Sequence, residues 1–252
     1  MTTNAVILAG GKNSPEMAKA TGTANRALTP LGTRTMLEYV VSALAGAPSV
    51  GEVIIVGKVP SSEHYTQVAP KETLLENLLA GLDAAGDGER VLISTSDIPF
   101  LTPAVVEDFL ARALATEADL CCSYVPLALC YAQYPEMKRT AVTLAEGRFT
   151  LGNLMLVSPK FLRAQEGVIA AAYAARKSPV GIARLLGGGL LLRMLGAQSF
   201  LPGLLPVATL EAGVSRVLGG RAVGICSAYA EIGTDIDKPE DVALARRLLE
   251  NA

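Results

Sequence analysis

Ala5-Val6-Ile7-Leu8-Ala9-Gly10-Gly11-Lys12 is an uncharged apolar run that ends on two glycines and a cation. A short apolar run bounded by a turn signal reads as a buried strand, and a glycine pair lets the backbone turn sharply and come close to a ligand. The residues that follow are polar: Asn13, Ser14, Lys19, Thr21, Gly22, Thr23, Asn25 and Arg26 precede the next apolar helical pattern. The spacing predicts a long functional loop, because structureless loops of this length are uncommon inside compact domains. Cations beside free backbone N–H groups suit a polyphosphate.

Outward from this stretch the chain alternates strand and helix. Met36, Leu37, Val40, Val41 and Leu44 fall at helical spacing after Thr35, and Glu52 to Gly57 forms a second buried strand. Residues 58–70 read as surface loop and hold the lone His64, for which a solvated role outweighs a catalytic one. A helix over Glu72 to Ala85 follows. Its Thr73 and Asn77 share a face; either Thr73 caps the helix and Asn77 is merely exposed, or both reach a ligand.

Val91 to Thr95 is a strand that delivers Ser96 and Asp97 at its C-terminal end, with Pro99 stopping the ladder. In open parallel sheets ligands bind at that edge, where a carboxylate facing a glycine turn can hold a divalent cation on phosphates. Asp97 could also serve only its own turn. Thr102-Pro103 opens a further helix, and Leu120 to Val125 is another strand. This order predicts an α/β fold: a three-layer sandwich with a mostly parallel central sheet, Rossmann-like, joined by right-handed crossovers.

The second half is less regular. Arg148-Phe149 and Leu154 to Pro159 suggest strands of mixed direction, and Phe161 to about Gly220 is mostly helical, with Tyr173, Arg176, Lys177, Arg184 and Arg193 among many Ala and Leu. The whole chain reads as one domain over residues 1–252, with an acceptor-binding lobe at 130–220 in which Arg176-Lys177 either binds an acceptor phosphate or faces water. Arg221 to Ala228 returns to a strand. Asp235 and Asp237 then alternate around Ile236, so an extended backbone points both side chains the same way. Asp237 and Glu240 also have capping-box spacing for a last helix.

Composition narrows the partners. With 22 Lys and Arg against 24 Asp and Glu, and no basic run, the chain is not built for nucleic acid. Four cysteines, two of them adjacent, match neither a metal spacing nor a disulfide framework and imply a reducing, cytoplasmic setting. No cationic segment precedes an apolar stretch at the N-terminus. The Leu-rich region from Ile182 to Leu205 is broken by Arg184, Arg193, Gly187 to Gly189 and Pro202, which favours a buried helix pair over a membrane span.

Taken together, strand-Ala-Gly-Gly, strand-Ser96-Asp97-Ile98-Pro99 and Asp235-Ile236-Asp237-Lys238-Pro239-Glu240-Asp241 resemble the nucleotidyltransferase superfamily. The likeness is closest to proteins related to molybdenum cofactor guanylyltransferase, with sugar-1-phosphate nucleotidyltransferases more distant. It covers roughly the first 125 residues and the last 30. By that resemblance Leu8, Ala9, Gly10 and Gly11 hold the nucleotide, Arg26 takes the role of a phosphate-binding Lys, and Thr73 and Asn77 line base and ribose beside Ser96. Asp97, Asp235 and Asp237 hold Mg²⁺. Where the family carries Arg-Met-Gly after the glycines, this chain has Ser14-Pro15-Glu16-Met17, leaving Lys12 and Lys19 as nearby cations. The implied reaction moves a nucleoside monophosphate from an NTP to a small phosphorylated acceptor. A GT-A-like glycosyltransferase and a nucleotide-binding protein without turnover are the alternatives, and a dinucleotide dehydrogenase is disfavoured because no Gly-x-Gly-x-x-Gly follows the first strand.

Overall fold

A computed structural model describes residues 2–86, 88–175, 185, 187–199 and 201–250. The first strand, β1 (Thr3–Leu8), lies in the middle of the main sheet because its side chains are buried on both faces: Ala5 and Ile7 face one layer, Val6 the other. It pairs in parallel with β4 (Val50–Val56) on one side and β6 (Val91–Thr95) on the other. The strand order is β10 (Ala222–Cys226), β7 (Leu120–Pro126), β9 (Gly147–Val157), β6, β1, β4 and β5 (Thr66–Val68), with β8 (Val142–Leu144) pairing off β9. Every antiparallel pairing in this sheet involves β9, which alone runs against the other described strands, so the α/β reading holds. Arg148-Phe149 and Leu154–Val157, expected as separate strands, belong to one eleven-residue strand whose register shifts opposite Cys122 to Tyr124.

Helices cover both faces. On one side α2 (Met36–Ala45) and α4 (Pro103–Leu114) pack on Ile7, Ile55 and Leu92; on the other α3 (Leu74–Ala84) covers Val6, Ile54 and Ile93. Their starts are set locally. Thr35 and Thr73 each form a capping box with the Glu three residues on, and Thr102 caps α4 ahead of Pro103. The small hairpin β2 (Pro30–Leu31) and β3 (Arg34–Thr35) leads into α2.

Two loop expectations are corrected. The segment after Gly11 is not structureless: Ser14 caps α1 (Pro15–Thr21), Met17 is buried beneath it, and Gly22 ends it at φ 75°. The 58–70 region contains β5, a short edge strand on β4.

Beyond β7, α5 (Leu127–Gln133) precedes the β8–β9 hairpin, and α6 (Pro159–Ala164) and α7 (Glu166–Ala175) follow it. Then α8 (Gly188–Ser199) and α9 (Val207–Leu218) gather around Leu144 and Phe149. The buried-pair expectation for Ile182–Leu205 is also corrected over its described part: α8 buries Leu190 and Ala197, while Leu192, Leu195 and Leu201 are exposed. Among the described residues no helix is long and apolar enough to cross a membrane. Arg176, Lys177 and Arg184 lie outside the described residues. The last helix, α10 (Pro239–Glu250), is tied back to β2 by Arg246, whose guanidinium donates to the Pro30 carbonyl.

Candidate active site

Sheet register fixes where the site lies. Leu8 is paired with Thr95 on one flank and Val56 on the other, so the segments after β1, β6 and β4 all leave the sheet at one edge. These are Ala9-Gly10-Gly11, Ser96-Asp97 and Gly57-Lys58. Gly57 is required by close approach: a Cβ there would sit 2.8 Å from the Ala9 carbonyl oxygen. Gly10 and Gly11 have a different reason. Neither has a positive φ; a Cβ on Gly10 would meet nothing within 4 Å, so Gly10 leaves space over the backbone open, while a Cβ on Gly11 would touch the Arg26 side chain at 3.8 Å.

The polar segment folds back on that turn. Arg26 N–H donates to the Gly11 carbonyl at 3.0 Å, Asn13 N–H to Ala24 at 2.9 Å, and Lys12 bridges Asn25. Asn25 caps a short 3-10 helix (Arg26–Leu28) through its Oδ1, while its Nδ2 donates to the Lys58 carbonyl at 2.9 Å. The 3-10 helix therefore starts with Arg26 against the glycine turn.

A single backbone bond brings in the late acidic pair: Ile236 N–H donates to the Asp97 carbonyl at 2.9 Å. Ile236 is fully buried, so Asp235 and Asp237 are held on either side of an anchored residue next to Asp97. Upstream, a second 3-10 helix (Ala230–Gly233) is wedged beside Thr150 and Val125, and Asn153 donates to its Ile232 carbonyl. The capping-box expectation for Asp237 and Glu240 is replaced. Asp241 Oδ2 accepts from the amides of Asp237 and Lys238, which leaves the Asp237 carboxylate to face the cleft.

Two arginines meet the three acids. Arg26 Nη1 lies 3.1 Å from Asp97 Oδ2 and 2.5 Å from Asp237 Oδ1. Arg139, with a side chain only 5% exposed, donates through Nη1 to the Asp235 carbonyl at 2.8 Å and to its Oδ1 at 3.2 Å. The electrostatics follow. Burial by itself lowers the Arg26 pKa, but the hydrogen bond and charge of Asp97, then the charges of Asp237 and Asp235, raise it above its ordinary value. Asp235 is pushed up to about 7, first by burial and then by Asp237 and Asp97, against the opposing pull of Arg139.

Buried polar atoms without a partner gather here. Among the described residues they are Asn13 Oδ1, Arg26 Nε, Thr95 Oγ1, Asp97 Oδ1 and Arg139 Nε, on the glycine-turn segment, the β6 edge and the acidic cleft, and Glu231 Oε2, whose other oxygen accepts from Gln133. Native proteins pair nearly all such groups, so their concentration at one place marks a surface shaped for a polar ligand. No group of three or more His, Cys, Asp or Glu side chains among the described residues is arranged as a ready metal cage. The oxygen donors present nonetheless suit a hard cation of the kind held by one or two carboxylates plus substrate phosphates.

The other expected residues are placed as follows. Ser96 is buried beside Asp97, and Leu8 and Ala9 lead into the cleft. Lys12 is exposed next to Arg26's segment, and Lys19 is exposed on α1. Thr73 Oγ1 is used in its capping box, and the Asn77 amide bonds the Lys71 and Thr73 backbone; these bonds are local and do not extend to the acids. His64 is an exposed loop residue. Arg139 escaped the sequence reading. It follows α5 in a stretch without periodicity and lies 96 residues from Asp235 in sequence, so no motif pairs the two.

A model of the MobA-like NTP transferase domain matches residues 5–148. A solved structure described as a hypothetical transferase from Thermus thermophilus is 35% identical, with 96% of this chain and 100% of that one covered and a TM-score of 0.85. CMP:2-keto-3-deoxy-manno-octonic acid synthetase, solved with CTP, is similar in fold at 13% identity, coverage of 100% and 99%, and TM-score 0.61. The 2-C-methyl-D-erythritol 4-phosphate cytidylyltransferase of Thermus thermophilus is likewise similar at 17% identity, 99% and 100% coverage, and TM-score 0.57. No curated protein matches the chain.

Proposed function

The chain belongs to the MobA-like NTP transferase family, and from that membership we propose that it moves the nucleoside monophosphate group of an NTP onto a small phosphorylated acceptor, releasing pyrophosphate. The observation that carries the reading is the meeting of Asp97, Asp235 and Asp237 at the sheet edge where the Gly10-Gly11 turn leaves β1. Relatives of similar fold include cytidylyltransferases, which supports the reaction class.

In this proposal the triphosphate lies over the open backbone at Gly10, with the Arg26 side chain alongside Gly11. An acceptor phosphate oxygen attacks the α-phosphorus in line. The new P–O bond forms as the bond to the β-phosphate oxygen breaks, and the electron pair leaves with pyrophosphate. Arg26, with Lys12 and Lys19 nearby, stabilises charge on the departing group. Mg²⁺, when bound through Asp97 and Asp237 with Asp235 near, supplies charge neutralisation and alignment of the phosphates. Arg139 fixes Asp235 from below by gripping both its carbonyl and its carboxylate. Holding reactants in line accounts for most of what such a site contributes, since phosphates need no covalent help from the protein.

The test mixes each of the four NTPs with Mg²⁺ and a panel of phosphorylated sugars and pterins, and reads pyrophosphate release. One NTP–acceptor pair is expected to give release that stops on chelation. NTP binding without pyrophosphate from any acceptor would leave a nucleotide-binding protein instead.

A further inference from the structure

We propose that Arg26 holds the place of the divalent cation in the nucleotide-free protein, so that the site takes up its metal only together with a polyphosphate. The inference rests on the nucleotidyl-transfer reading and adds an order of assembly to it. It begins from one nitrogen: Arg26 Nη1 is shared by Asp97 Oδ2 at 3.1 Å and Asp237 Oδ1 at 2.5 Å. Those two oxygens are therefore no further apart than the two distances laid end to end. An octahedral Mg²⁺ binds oxygens at about 2.0–2.1 Å, so an ion shared by the two acids needs an oxygen from each within about 4 Å of the other. While Arg26 Nη1 holds one oxygen of each acid, it stands where such an ion would have to enter.

Arg26 does not yield by losing its proton, because a guanidinium stays charged in proteins. A free cation must compete with a fixed positive charge in a half-buried cleft, where repulsion is weakly screened. The pairing is also incomplete. Arg26 Nε and Asp97 Oδ1 are buried without partners, so the guanidinium meets each acid through Nη1 alone. A phosphate can take two parallel N–H bonds from the planar fork, which neither acid takes here.

Geometry gives the arginine a short way to go. A Cβ on Gly11 would meet Arg26 Cβ at 3.8 Å and Cδ at 4.0 Å, so the side-chain stem runs alongside the glycine turn. The backbone is pinned by the Arg26 N–H to the Gly11 carbonyl, and only side-chain torsions need change. When a triphosphate settles on Gly10 and Gly11, Arg26 turns to it. Asp97 and Asp237 are then released to the ion that the phosphates carry in. The three acids keep a compensating charge throughout, first from Arg26 and then from the metal.

The test uses full-length protein and two separate probes. Mn²⁺ alone is titrated by electron paramagnetic resonance, and tripolyphosphate by calorimetry in metal-free buffer, for wild type, Arg26→Gln and Arg26→Lys. Arg26→Gln is expected to bind Mn²⁺ at least tenfold more tightly than wild type and tripolyphosphate at least tenfold more weakly. Arg26→Lys should lie between, which also guards against a folding defect in the neutral variant. Equal Mn²⁺ affinity in wild type and Arg26→Gln, with tripolyphosphate bound normally by wild type, overturns the placeholder role alone. Failure of wild type to bind tripolyphosphate removes the nucleotide reading beneath it.

Discussion

Asp97 stands where three constraints cross: it lies two residues past the end of β6, its carbonyl receives Ile236, and its carboxylate faces Arg26. Asp97→Asn keeps the shape and the backbone bond while removing the charge. Turnover, measured as pyrophosphate release, is expected to fall by about 10²-fold or more, the scale seen when one electrostatic contact to a transition state is lost, with the melting temperature almost unchanged. Normal turnover in this variant would sink the assignment. Asp235 carries a pH signature. Its folded pKa, about 7 against an ordinary 3.8, is raised, so its contribution to stability is whole below the unfolded value and is lost as pH rises through about 7. Urea unfolding of the metal-free protein between about pH 5 and pH 8 should show stability falling with pH in wild type and a flatter profile in Asp235→Asn. Parallel profiles would mean that Asp235 titrates like an exposed acid. Both aspartates were legible because they sit in short motifs, one just beyond β6 and the other ahead of the last helix. Arg139 was not, since a loop cation becomes informative only once the fold has carried it to Asp235.

Elements place these residues more tightly than motifs do. β1, β4 and β6 were readable as uninterrupted apolar runs, and their mutual register follows from burying both faces. What stayed hidden were the elements set by contact with others. The helix α1 depends on Met17 finding the core, β5 on an edge offered by β4, and the unity of β9 on two partners at once. The glycine after β4 tests the arrangement. Gly57→Ala would drive a methyl group against the Ala9 carbonyl, 2.8 Å away, and the backbone of the glycine turn must shift to receive it. A loss of about 1–3 kcal/mol in urea unfolding is expected, as for overpacking elsewhere, together with weaker NTP binding. Full stability with unchanged NTP affinity would show that β1 and β4 do not meet as described.

At the scale of the whole molecule, the proposed nucleotide site draws on segments separated by more than two hundred residues of sequence, so an NTP bound there would stabilise the folded chain as a unit. At a hundred times its dissociation constant, the matching NTP adds about 2.7 kcal/mol, or roughly 5–10 °C for a domain of this size. A thermal scan of the four NTPs should show one clear winner; four equal shifts would point to phosphate contacts without base selection. The sheet order adds a consequence in time. β10 lies beside β7 although about a hundred residues separate them, and Asp235 and Asp237 come after both. During synthesis the glycine turn, Arg26 and Asp97 emerge from the ribosome well before the acids that complete the cleft. On the proposed function, a nascent chain would present the glycine turn, Arg26 and Asp97 while lacking two of its three carboxylates, and would stay chemically silent until residue 237 had been made and docked.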